Sequence, residues 1–91
     1  MQTGKYRVFA GETPFELLDV VVCGHLVSIQ GDIWTGAGRI DGMLYNGDFQ
    51  DRVGGGHGIH HGEIHEDGTI VVEAWFAGAA APIPLTWRRE Q

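Results

Sequence analysis

Hydrophobic and polar positions alternate along this chain in short runs, and each run ends at a Gly, Asn-Gly or Asp-Gly break. A period of two places successive side chains on opposite faces of a half-buried strand. The first strands read as Lys5 to Ala10, stopped by Gly11-Glu12-Thr13-Pro14, then Phe15 to Val22. A tight turn at Cys23-Gly24 leads into His25 to Gln30. Ile33-Trp34-Thr35 begins a further element interrupted by Gly36 and Gly38. Arg39 to Tyr45 and Asp48 to Arg52 flank Asn46-Gly47, a strong two-residue hairpin signal because both residues tolerate positive φ. Gly58 to His65 and Thr69 to Phe76 form a hairpin across Glu66-Asp67-Gly68. The last strand is Ile83 to Arg89, with Ile83, Leu85 and Trp87 on one face and Pro84, Thr86 and Arg88 on the other. Pro84 marks an edge or a strand start. No window sustains a 3.6-residue stripe, so helix is limited to a turn or two at most. The prediction is an all-β fold: a small antiparallel meander of about seven or eight short strands, closing into a barrel or rolled sheet across residues 1–91.

Composition agrees with many turns. The chain holds 15 glycines, and each one inside a regular element costs roughly 0.5–1 kcal/mol against alanine. They therefore belong mostly in turns, at bulges or where backbones approach closely. The net charge is −6 with neutral histidines, and the six Lys and Arg residues form no basic stripe. A phosphate backbone would be repelled, so nucleic acid is not expected as a partner. Cys23 is the single cysteine, which excludes an internal disulfide and fits a reducing compartment. No charged start leads into an apolar run, and the uncharged segment Ala74 to Trp87 is broken by Gly78, Pro82 and Pro84. The expectation is a cytoplasmic domain with no membrane partner and no cofactor.

Chemistry concentrates between Gly54 and Gly68, where four of the five histidines are interleaved with acids and glycines. The Asp67-Gly68 hairpin can close in two registers, and these send the histidines to opposite faces. A two-residue loop sets His61, Glu63 and His65 against Ala74, Val72 and Ile70, burying three ionisable groups. A three-residue loop with Gly68 at the left-handed bulge position pairs His65 with Thr69. Then Gly58, His60, Gly62 and Ile64 face inward, opposite Phe76, Ala74, Val72 and Ile70. Unpaired buried charges cost several kcal/mol each, so the second register is expected. It leaves His61, Glu63 and His65 outside beside Glu73, with Ile59 and Trp75 as an exposed apolar pair suited to an interface. His60 alone points inward and needs a hydrogen-bond partner. The candidate binding residues are thus Ile59, His60, His61, Glu63, His65, Glu73 and Trp75.

The alternative is a metal-binding or histidine-based hydrolytic centre over residues 57–65, with His61, Glu63 and His65 as metal ligands. Zinc ligands must converge to about 2–2.3 Å from the ion, whereas His61 and His65 lie about 13 Å apart along a strand. Only His61 with Glu63, or Glu63 with His65, could start such a site, with Glu73 as a third ligand. Cys23 beside His25 has no third group to orient a base. Ser28 is the only serine and lacks an elbow motif. The glycine runs 36–42 and 56–62 miss the dinucleotide spacing by one residue. Neither Asp48 with Asp51 nor Glu63 with Glu66 stands out on an acidic surface. Histidines beside Glu63, Glu66 and Glu73 gain protons on acidification, which would lower solubility near the sequence pI of 5.1.

Asp41-Gly42-Met43-Leu44-Tyr45-Asn46-Gly47-Asp48-Phe49, followed by Gly58, Gly62-Glu63 and Glu66-Asp67-Gly68-Thr69-Ile70, resembles a known pattern. It is similar to the small lipocalin-like barrel of the type III secretion negative-regulator family, where a Gly-rich turn precedes a strand, a glycine and an Asp-Gly hairpin. The aromatic strand of that pattern is replaced here by His57 to His61. The resemblance covers about a third of the chain and implies a closed small barrel that binds another protein, often as a dimer. The expected function is binding without catalysis, through a homodimer with a protein partner or through a small apolar ligand inside the barrel.

Overall fold

In the computed structural model, which describes residues 1–90, the alternating runs form eight strands. They are β1 (Gly4–Ala10), β2 (Thr13–Cys23), β3 (Leu26–Gln30), β4 (Trp34–Asp41), β5 (Leu44–Asp51), β6 (His57–Ile64), β7 (Ile70–Phe76) and β8 (Ile83–Arg89). Each pairs antiparallel with its sequence neighbours, and β1 pairs with β8 to close the barrel. Closure gives every strand two partners and leaves no exposed edge for another chain to extend. Pro84 lies at the second position of β8 opposite Glu73, so it marks a strand start and not an edge. Among the described residues there is no helix, hence none long and apolar enough to cross a membrane.

The inward residues of each strand supply the core: Tyr6, Val8, Leu18, Val20, Val27, Ile29, Tyr45, Ile64, Ile70, Val72 and Trp87 are all buried. The β6–β7 register is the one that keeps charge out of this core. His65 N–H donates to Thr69 O (2.9 Å) and Gly68 N–H to His65 O (3.0 Å), so Glu66-Asp67-Gly68 forms the three-residue loop. His60 then sits opposite Ala74 and Gly62 opposite Val72.

The β4–β5 hairpin departs from the sequence expectation. Asn46-Gly47 is not a turn but lies in the middle of β5, and Gly36 and Gly38 do not interrupt β4. The turn is Gly42-Met43, closing a ladder from Asp41↔Leu44 to Trp34↔Asp51. The segment Arg39 to Tyr45 therefore spans the turn. Gly42 has φ +60° and Met43 does not have positive φ, so type I′ is excluded and the first-position glycine of a type II′ turn remains. The same geometry recurs at Gly24-His25, one residue later than the sequence placed it. Two eight-residue strands win over the local Asn-Gly signal because this register turns Tyr45 and Phe49 inward, where both are buried. Gly47 follows them inward and cannot be larger, since a Cβ there would lie 2.6 Å from Ala37 O.

One irregularity shapes the barrel mouth. The β1–β2 register slips between Val8, opposite Glu16, and Phe9, opposite Pro14, leaving Phe15 as the extra residue of a bulge. Bulges bend a strand and re-aim the side chain they carry.

Candidate functional site

The two ends of the barrel are packed differently. At the end holding the Gly24-His25, Gly42-Met43 and Glu66–Gly68 turns, Tyr6, Tyr45, Ile64 and Ile70 fill the interior. At the other end the strands are joined through Gly11-Glu12 and residues 31–33, 52–56 and 77–82. Here the interior holds an apolar cavity of about 250 Å³. Val8, Leu18, Ile29, Ala74 and Leu85 form its walls, and Phe15, Trp34, Phe76 and Ile83 stand toward its mouth. The bulge thus brings Phe15, half exposed, to the rim.

Small inner residues create the space that aromatic side chains then partition. A Cβ on Gly58 would meet Phe49 Cζ at 2.7 Å, so this glycine lets the Phe49 ring lie across the barrel wall. Trp34, Phe49 and Phe76 meet edge to face with centroids 5.1–5.4 Å apart. His60 stacks on Phe49 at 4.4 Å and meets Trp87 edge-on at 5.2 Å.

Besides Thr35, three buried residues bring polar groups to this apolar space. Glu16 is 4% exposed and His60 7% exposed, and both line the cavity together with Trp87. Ile33 N–H donates to Glu16 Oε1 at 3.1 Å. Glu16 Oε2, His60 Nδ1 and Trp87 Nε1 are buried with no hydrogen-bond partner among the described residues. Buried polar atoms are almost always paired, so three orphans around one cavity mark it as a binding position. Gly31 makes room for the acid, because a Cβ there would overlap Glu16 Oε1. Burial pushes the Glu16 carboxyl above its ordinary range, while backbone N–H groups of Ile33 and Trp34 pull it back and Asp32 adds repulsion. Burial lowers the His60 imidazole from 6.5 to about 4, with Asp48 opposing, so the ring is uncharged at neutral pH.

The other sequence-predicted residues lie outside. Ile59 is 47% exposed and pairs with Trp75, which is only half-buried. His61, Glu63, His65 and Glu73 are exposed on the same outer surface. His61 Nδ1 is 2.6 Å from Asn46 Oδ1, an engagement with β5 that the sequence did not indicate. Among the described residues no three His, Cys, Asp or Glu side chains come together to hold a metal ion, so His61, Glu63 and His65 form no ligand set. Of the predicted residues only His60 belongs to the cavity. Glu16 escaped notice because Leu17 and Leu18 are both apolar and blur the period of β2, although Glu16 shares the parity of the inward Leu18 and Val20.

Comparison with protein-family models, curated proteins and solved structures finds no match to this chain.

Proposed function

We propose that this barrel is a binding protein for a small, mainly apolar ligand held in its interior cavity, with a polar end group placed among Glu16, His60 and Trp87. The observation that carries this reading is an apolar cavity of about 250 Å³ among whose lining residues are three, Glu16, His60 and Trp87, that each carry a buried polar atom without a partner among the described residues. An engineered apolar cavity of about 150 Å³ already takes up benzene. Eight-stranded barrels are the size at which the interior just holds one small ligand. The mouth is held in shape by its connections. Arg52 N–H donates to Ile33 O (2.7 Å), and Asp51 Oδ1 accepts from Val53 N–H (2.8 Å) and Gly54 N–H (3.0 Å). A preformed pocket saves the ordering cost that a mobile one would add on binding.

Ala74→Leu tests the reading. Ala74 is buried on the cavity wall, so the larger side chain extends into empty space. The expected outcome is folding stability within about 1 kcal/mol of the native chain, because filling a void costs little strain. Binding of a straight-chain octyl probe, followed through the fluorescence of Trp34 and Trp87, is expected to fall by about tenfold or more, as expected from the loss of ~1.4 kcal/mol of apolar contact. Unchanged probe affinity in a folded Ala74→Leu variant would refute an interior site.

A further inference from the structure

We infer, building on the reading of the cavity as a ligand site, that the ligand's polar end is an ammonium group donating to the free Oε2 of Glu16: the barrel takes an apolar amine and discriminates against fatty acids. The interior contains an acid and no base of comparable strength. Among the described residues Glu16 is the only carboxylate lining the cavity, and none of the six Lys and Arg side chains lines it. A ligand carboxylate would therefore meet a like group in a poorly screened space, where repulsion costs far more than in water. Octanoate-like molecules are disfavoured for that reason.

The free oxygen asks for a donor. Oε1 already accepts from Ile33 N–H, and Oε2 is buried without a partner among the described residues. Burial raises the proton affinity of this carboxyl, and a cation beside it favours the charged form instead. An N⁺–H donor satisfies it with a charge-assisted hydrogen bond, about twice as strong as a neutral one. His60 adds a second acceptor without opposing charge, since burial holds it neutral and leaves Nδ1 free to accept in one tautomer. The Trp34, Phe49 and Phe76 rings line the same space, and aromatic faces attract cations. The Trp87 N–H stays unpaired against an ammonium, but a neutral donor without a partner is a smaller penalty than an unpaired carboxylate oxygen.

The surroundings of the mouth point the same way. Its connections carry Glu12, Asp32 and, at the end of β5, Asp51, against the one cation Arg52 and the exposed His57. The Arg52 guanidinium is itself engaged, donating to Gly31 O at 3.2 Å. An approaching cation gains from this field, and an anion loses.

The test is a head-group series with one apolar body: octylamine, octanol and octanoate, each titrated into the native chain and into Glu16→Gln at neutral pH. Octylamine is expected to bind about ten- to a hundredfold more tightly than octanol, the difference a charged hydrogen bond makes, with octanoate weakest. Glu16→Gln keeps an oxygen for Ile33 N–H and is expected to bring octylamine to the level of octanol. Octanol or octanoate binding as tightly as octylamine, or a persisting amine preference in Glu16→Gln, would overturn the ammonium assignment and leave the cavity reading standing. No saturable binding by any of the three would overturn both. If Glu16→Gln fails to fold, the order of the three probes on the native chain decides.

Discussion

Acidification from pH 6.5 to about 4 is expected to remove about 3 kcal/mol of folding stability through His60 alone. The imidazole is buried among Phe49, Tyr45 and Trp87, and burial lowers its proton affinity from 6.5 to about 4. In the unfolded chain the same ring titrates at its ordinary value. Between the two values the unfolded state binds the proton and the folded state does not, so stability falls as pH falls. The contribution is fully present above 6.5, declines through the window and levels off below about 4, where both states are protonated. That gap corresponds to about 3 kcal/mol. Glu16 works in the opposite direction: its folded carboxyl holds a proton more readily than the unfolded one, so its contribution rises as pH falls toward its unfolded value. Asp48 favours the protonated imidazole but is outweighed by burial. The isolating comparison is therefore native chain against His60→Phe, which keeps an aromatic ring beside Phe49. In denaturant melts across the window, the difference between the two is expected to shift by about 3 kcal/mol in favour of His60→Phe. A difference that does not change with pH would mean that His60 is solvated in the folded state.

Gly38→Ala is expected to cost about 3 kcal/mol, near the top of the usual range for overpacking a core. Gly38 lies opposite Val27 on one side and Gly47 on the other, on the inner face of β4. A Cβ there would sit 2.5 Å from Asn46 O, 2.6 Å from Tyr45 Cε1 and 2.8 Å from Gly47 Cα. Two of these atoms belong to the β5 backbone, which cannot move without breaking its ladders to β4 and β6. Gly62→Ala is the control. Its Cβ would meet Ile70 Cγ2 at 3.2 Å and Tyr45 Cδ2 at 3.4 Å, side-chain atoms that can yield by a few tenths of an ångström. A loss of about 1 kcal/mol or less is expected there, the lower end of that range. Denaturant melts of both variants check the pair. Equal stabilities would contradict the close approach of β4 and β5.

These glycines also explain which parts of the fold were legible in the sequence. The β6–β7 register could be read because a one-residue slip would have buried His61, Glu63 and His65, a penalty large enough to decide between two loops. The β4–β5 hairpin could not be read by the same means. Asp41-Gly42 and Asn46-Gly47 both offer turn chemistry, and the choice depends on whether Tyr45 and Phe49 share an inner face with glycines opposite. That packing exists only once the barrel is closed. Local turn preference, worth a kcal/mol or so, then yields to the burial of two aromatic side chains at about 1.5–3 kcal/mol each.

The site was less legible than the fold, for a related reason. The histidine stretch draws attention through its composition, yet alternation turns His61 and His65 to the outside and only His60 inward. The cavity itself is assembled from single residues on nearly every strand: Val8, Glu16, Ile29, Phe49, Ala74 and Trp87 are far apart in sequence and meet only through closure. Gly31 reads as a break along the chain, whereas in the barrel it makes room for the Glu16 carboxyl; Gly58, read as an inward residue opposite Phe76, also makes room for the Phe49 ring. The polar groups that give the cavity its chemistry are also costly to bury, and a chain selected for stability alone would have replaced Glu16 and His60 with apolar residues.

The three tryptophans provide the most direct measurement. Trp34 and Trp87 line the cavity, whereas Trp75 stands on the outer face beside Ile59. Their indole N–H groups give separate proton resonances that can be followed while octylamine is added. An interior site requires saturable shifts of the Trp34 and Trp87 signals with the Trp75 signal unmoved. Movement of Trp75 with Trp34 and Trp87 unchanged would place binding on the outer face and contradict the cavity as the functional site.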